Sequence, residues 1–558
     1  AGLFCSLKNA TVENLVIDLS CSFTGYSAGA LSVSVDGSLT VKHTTNNADV
    51  SGIWKVGGFI GCVEDMGQET MVSFEDCVNN DSVTGSGYDV GGFVGYILNN
   101  TSMTVTISNS MNKGNVTGSA DSIGGLVGFI GYNKYMTIAV SNSSSHNRVT
   151  GKHSVGGFIG SIYRNTNINI TIPNCINDGD VAGNWYVGGL TGCIQNNTGM
   201  TITISNSSGN GIITGSHSVG GFVGFIWNNT IMTITTSSSI NDGSVTASGN
   251  DVGGFVGQIK SNTNMNINIS NSVNNGNVTG SENCTGGFVG RFGKNTQMAV
   301  IIFNSTNNGI VVGGGQYIGG FIGCIFDNPN MTMTISDSVN NGSVYGKQEI
   351  GGVVGVISDS TDMAVTIVNS TNNGFANGSG NYVGGFIGYI DASNNISMMI
   401  SNSTNNGNTT GSDEVGGFVG HFFKNTNESV TISNSTNNGD ITCSGQFIGG
   451  FVGRISGNTV MVMTISQFTN KGNITTGSYD AGGFVGYIRD NTNLVMAFSH
   501  LINDGNVTGT ATAGGFVGFI WNNTNMTTTI SNSINNGNIT GSWNVGGFVG
   551  RILSSYPN

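Results

Sequence analysis

The residues able to do acid–base work stand in two places: Glu64, Asp65 and Glu69 share one short stretch, and Asp413 adjoins Glu414 just before a glycine pair. Paired carboxyls serve hydrolases as general acid and base when they converge across a substrate. Neighbours within one loop read instead as solvated charge, and no catalytic residue is assigned. His43, His146, His153, His217, His421 and His500 share no common phase, so metal ligation through them is not expected. Nine cysteines include no CxxC; Cys5, Cys21, Cys62 and Cys77 gather near the start, where one or two bridges are expected in an oxidising compartment. Met103, Met136, Met200, Met232, Met265 and Met298 recur like a soft copper-binding stripe, but flexible Met filling a core explains them without a metal. No cofactor is expected.

These residues hang on a chain whose composition is far from that of an ordinary enzyme. Of 558 residues, 91 are Gly and 3 are Pro, 8% are charged and 37% hydrophobic. The net charge of -13 is spread without long runs, which argues against a nucleic-acid partner. No uninterrupted apolar stretch is long enough to span a bilayer. The chain lacks an initiator Met and a signal peptide, the expected look of a processed form or a piece of something longer.

A glycine pair recurs at Gly57, Gly91, Gly124, Gly156 and twelve further steps to Gly546, always 32 to 34 residues apart. Inside each unit, turn letters mark off three extended segments, as in "GGFVGQI", "MNINIS" and "NVTG". The middle one alternates: Met265, Ile267 and Ile269 face one way, Asn266, Asn268 and Ser270 the other, the period of a half-buried strand. One unit is too small to bury its apolar side; stacked units bury a continuous one. The expected fold is all-β, a parallel right-handed β-helix (β-solenoid) of coils of about 33 residues, with residues 1–56 a divergent first repeat carrying an insertion and residues 57–558 tandem repeats. About seventeen coils at about 4.8 Å make a rod on the order of 80 Å long.

In such a stack like residues form ladders. Phe93, Phe158, Phe222, Phe255, Phe288 and Phe321 form one, and the methionines above another, each Met twelve residues after its glycine. A third is read through Asn109, Asn142, Asn174, Asn206, Asn271, Asn304, Asn369, Asn402, Asn434 and Asn532, taken as inward amides bonding to each other at a corner. The glycine pairs permit positive φ or close backbone approach at corners. Tyr96, Phe129, Phe225, Tyr389, Tyr487 and Phe519 share an outward phase. Asn9, Asn115, Asn228, Asn277, Asn473, Asn506 and Asn538 are candidate N-glycosylation sites facing solvent, whereas Asn304 and Asn402, on the inward ladder, are closed to a glycan.

With the unit laid out, "GGFVGYI" and "TISNSMNKGNVTG" resemble the GLUG repeat of bacteria and protists over essentially the whole chain. The family's usual Cys survives here only as Cys77 and Cys175. The resemblance implies a right-handed parallel β-helix in a large secreted or surface-attached protein, often adhesin-like, and no catalytic residues.

The function expected is an extracellular structural solenoid, a rod, fibre subunit or adhesin stalk. Both ends of the chain read as open strands, and the partner expected is another copy joined head to tail or a continuation of the same chain. Two alternatives belong to the outer surface: carbohydrate binding along an aromatic groove, and ice binding by Thr ladders in "MTVTIS" and "MTITIS".

Overall fold

A computed structural model describes residues 1–67 and 69–553, and within them every element of regular structure is a β-strand. The chain divides into two compact units, Ala1–Asn277 and Val278–Asn558. One coil of the first unit shows the pattern: β1 (Val90–Gly91), β2 (Val94–Leu98), β3 (Thr104–Ser108), β4 (Met111–Asn112) and β5 (Val116–Gly118). Each strand pairs in parallel with its copy in the next coil, as in Val94↔Val127, Thr104↔Thr137 and Val116↔Val149. The second unit is built alike, with Val354↔Ile387, Val365↔Met398 and Thr442↔Thr475. In both, β1-, β2- and β5-type strands form one parallel sheet each, and β3- and β4-type strands share a fourth. Each unit is thus a parallel β-solenoid.

The expected insertion before residue 57 is a coil in its own right. Phe23↔Val50, Ala28↔Val56, Ser32↔Ile60 and Leu39↔Val72 are all in register, and Phe4↔Ser32 and Ala10↔Leu39 place another coil before it. Gly29–Ala30 stands where later coils have two glycines, which hides this coil from a search for glycine pairs.

Alternation decides what goes inside. Phe93, Ile97, Val105, Ile107 and Val116 are buried, and so are all six predicted Phe and all six predicted Met ladder residues. Phe222 lies on Phe255 with ring centroids 4.6 Å apart, and Phe288 on Phe321 at 5.0 Å. Such stacks add about 0.5–1.5 kcal/mol each beyond buried area. Met200, Met232 and Met265 are consecutive rungs, as are Met298 and Met331.

The asparagine ladder lies elsewhere than expected. Asn109, Asn142, Asn206, Asn271, Asn304 and Asn402 are exposed, with φ of 45° to 51°, and Asn174, Asn369, Asn434 and Asn532 are exposed with positive φ too. They are the left-handed corner residues ending β3-type strands, a conformation that Asn tolerates better than most side chains. The left-handed residue swings its side chain out and sends the next one in, so Ser110, Ser143 and their equivalents occupy the interior. Asn304 and Asn402, expected to be closed to glycans, therefore face solvent.

Buried amides stack at two other corners. After β4, Asn241 Nδ2 donates to Asn274 Oδ1 at 2.8 Å and to the Gly243 carbonyl at 2.9 Å. In the second unit Asn340, Asn372, Asn405, Asn437, Asn470 and Asn503 form a chain, each link 2.8 Å. Between β2 and β3, Asn133, Asn165, Asn197, Asn229 and Asn262 make a second. Every link satisfies polar atoms that would otherwise cost about 1–3 kcal/mol in the core. Outside the first corner, Asn308, Asn341, Asn373, Asn406 and Asn438 form an exposed row bonded amide to amide at 2.7 to 2.8 Å.

The glycine pairs serve close approach. Among the described glycines only Gly37, Gly199 and Gly457 have positive φ. A Cβ on Gly221 would lie 2.0 Å from the Gly254 carbonyl oxygen and 2.7 Å from the Asn241 side chain.

Candidate functional site

The carboxyl groups singled out in the sequence do not converge. Glu64 pairs with Lys55 at 2.6 Å, while Asp65 accepts a hydrogen bond from Asn99 at 2.7 Å. Asp413 accepts the Gln446 backbone N–H, and its neighbour Glu414 turns inward to meet Arg454 at 3.0 Å. Of the histidines, His43 and His146 pair with Asp76 and Asp178, His421 is buried and His500 exposed. No cluster of three metal-ligating side chains occurs among the described residues.

Glu414 and Arg454 belong to a crease between β1- and β2-type strands. The residue two places before the glycine pair adopts positive φ in most coils, as in Asp89, Tyr186, Ser218, Glu414 and Phe447. It packs on the central residue of a β2-type strand one coil further on, about forty positions away. The third glycine of GGFVG makes room: a Cβ on Gly224 would lie 2.6 Å from Val187 N and 2.7 Å from the Tyr186 carbonyl carbon. One geometry holds several chemistries. Tyr186 stacks on Phe225 at 4.5 Å, Phe447 on Tyr487 at 4.3 Å, and Ser218 Oγ donates to Gln258 Oε1 at 3.3 Å.

Cys284 and Cys324 occupy the same two positions and form a disulfide, Cα–Cα 5.4 Å. The bridge expected among Cys5, Cys21, Cys62 and Cys77 does not form; all four are free thiols. Spacing along the chain drew attention to that group, whereas coil stacking brings together residues forty apart.

The crease also overturns the outward aromatic row. Phe225 and Tyr487 are buried, and Tyr96, Phe129, Tyr389 and Phe519 only partly exposed, because the preceding coil covers them. The carboxyls there are poorly hydrated. Burial pushes Asp89 up to about 7, Glu349 up to about 8 and Asp480 up to about 6; it lifts Glu414 to about 7 against the pull of Arg454. His421 is held well below its ordinary value by burial first and by Arg454 second, and its Nε2 lies 2.8 Å from Ser456 Oγ.

The exposed surface carries three ordered features. Asn9, Asn115, Asn228, Asn277, Asn473, Asn506 and Asn538 all face solvent. On β3-type strands Thr104↔Thr137 and Thr201↔Thr233 are in register, and Thr203↔Thr235 beside them, with Asn169, Ala139, Asn266 and Asn268 interrupting the two files.

The third was missed in the sequence: three residues before the glycine pair, or its Gly29–Ala30 equivalent, of successive coils in the first unit stand Tyr26, Trp54, Tyr88, Asp121, His153, Trp185 and His217. Tyr26 is 64% exposed, Trp54 42%, Tyr88 44% and Trp185 47%. The recurrence of rings at one phase was the available signal, but the loop before each pair varies in length and reads as irregular. No protein-family model, no curated protein and no solved structure matches the chain.

Proposed function

We propose that the chain is a structural β-solenoid of a secreted or cell-surface protein, of the GLUG-repeat kind, acting as a spacer, fibre subunit or adhesin stalk. The observation that carries this reading is the equivalence of the coils: most add a Phe, an Asn and hydrophobic rungs in the same register, with Leu or Val in place of Phe and Ser or Gly in place of Asn in a few, so coils extend a unit without altering its core. The Cys284–Cys324 bridge suits an oxidising compartment, and the solvent-facing sequons suit a glycosylated surface. Its partners are further coils, in the same polypeptide or in another copy. Small-angle scattering on the chain and on a variant with residues 351–383 duplicated tests it. The maximum dimension should grow by about one coil spacing, 4.8 Å, per coil added; an unchanged dimension removes the spacer reading. The Thr files of the first unit support ice binding as a second reading, and absence of thermal hysteresis at millimolar protein would dismiss it.

A further inference from the structure

We infer that the ring row of the first unit is a binding site for a neutral, extended β-1,4-linked polysaccharide. The inference is independent of the structural role proposed above. The row comprises Tyr26, Trp54, Tyr88, His153, Trp185 and His217, with Asp121 between its two halves. Neighbouring rings are held at the coil repeat: Tyr26 to Trp54 6.2 Å, Trp54 to Tyr88 5.6 Å, His153 to Trp185 5.3 Å and Trp185 to His217 5.9 Å.

Two of the rings are fixed in place by their neighbours. A Cβ on Gly87 would lie 2.7 Å from Trp54 Cδ1 and 2.8 Å from its Nε1, so the missing side chain lets the indole lie across the next coil. His217 Nδ1 accepts the Asn250 backbone N–H at 3.2 Å, which leaves Nε2 as the ring's donor. Rigid aromatic groups that stay half-exposed contribute contact area with little ordering cost on binding.

Beside Tyr26, Trp54 and Tyr88 in sequence runs a 660 Å³ groove whose walls include Thr24, Ser51, Ile53, Thr84, Ser86 and Thr117. Thr24 Oγ1 and Ser51 Oγ lie 2.8 Å apart within it. Hydroxyls and methyls beside exposed rings match a ligand with alternating polar edges and apolar C–H faces, which describes a pyranose. A coil advances about 4.8 Å, close to the advance per sugar of a flat β-1,4 ribbon, so one chain keeps pace with successive rings. An α-linked helical glucan curves away from a straight row. The groove walls carry no charged side chain, and the row holds only Asp121, which selects a neutral polymer.

The test uses the full chain with insoluble cellulose and chitin in depletion isotherms, and soluble cellohexaose and chitohexaose followed by tryptophan fluorescence. The two pairs separate glucose from N-acetylglucosamine as the sugar. Wild type should bind at least one, with affinity unchanged between low and 1 M salt, as expected for uncharged contacts (roughly 3 Å Debye length at 1 M). Trp54→Ala and Trp185→Ala should each weaken binding about tenfold, the size of one lost aromatic contact. Trp227→Ala, on a different strand, should leave it unchanged. Circular dichroism identifies any variant that fails to fold, and Trp54 and Trp185 lie in different coils, so one suffices. No retention of folded wild type on either polymer, binding by both tryptophan variants as tight as that of wild type, or equal retention on amylose would overturn the assignment.

Discussion

Glu428 shows how narrowly one position in the stack is specified. It sits twelve residues after its glycine pair, where most other coils carry Met and a few Ile or Leu, pairs in register with Met461 and is 2% exposed. Neither carboxylate oxygen has a hydrogen-bond partner, and burial pushes the group up to about 8 from its ordinary 4.5. The unfolded chain loses this proton near pH 4.5 while the folded one keeps it, so its contribution is intact below that value and fades as pH rises through 8. At about 1.4 kcal/mol per unit, ionisation costs a few kcal/mol at alkaline pH. Glu428→Met should therefore stabilise the protein by about 1 kcal/mol at pH 4.5 and by roughly 4 kcal/mol more at pH 8 in urea titrations. An equal gain at both values would show that shape, not ionisation, sets the difference.

Elements meet most tightly at the glycines and in the crease. Gly221→Ala drives a methyl against the Gly254 carbonyl, backbone that cannot yield cheaply; a loss of about 3 kcal/mol is expected. Gly67, with open space around its Cβ direction, should accept Ala within about 0.5 kcal/mol. The crease offers a second test. Ser218 and Gln258 stand where Cys284 and Cys324 stand in the other unit, so the double variant Ser218→Cys, Gln258→Cys should form a bridge on oxidation, read as a mobility shift without reductant. Free thiols in the folded oxidised variant would refute the positional equivalence. Strands, period and the Phe and Met rungs were legible because alternation and step length are local. The Asn assignment failed because one left-handed residue at each corner shifts the parity, exchanging Asn109 for Ser110. The crease stayed hidden because it joins residues forty apart, and with it the fate of Tyr96, the disulfide and the exposed ring row.

For the molecule as a whole, the buried carboxyls act in one direction. Asp89, Glu349, Glu414, Glu428 and Asp480 all titrate above their ordinary values. Their contribution is present in mild acid and declines between about pH 4 and 8, and the net charge of -13 works the same way. Thermal melts should give a higher midpoint at pH 5 than at pH 8; the reverse order would mean these groups are ionised in the folded chain. Reducing Cys284–Cys324 should lower stability by about 3 kcal/mol, detected as loss of the last-melting fraction under reductant. The exposed row of Asn341, Asn373, Asn406 and Asn438 bears on chemical ageing, since each is followed by Gly, the pair most prone to succinimide closure and deamidation. Closure needs the glycine nitrogen to attack the side-chain amide. Here the nitrogens of Gly342, Gly374, Gly407 and Gly439 are engaged with carbonyls of the coil before, and the amides with each other. The folded protein is thereby guarded at its most perishable bonds, and its clock starts only on unfolding.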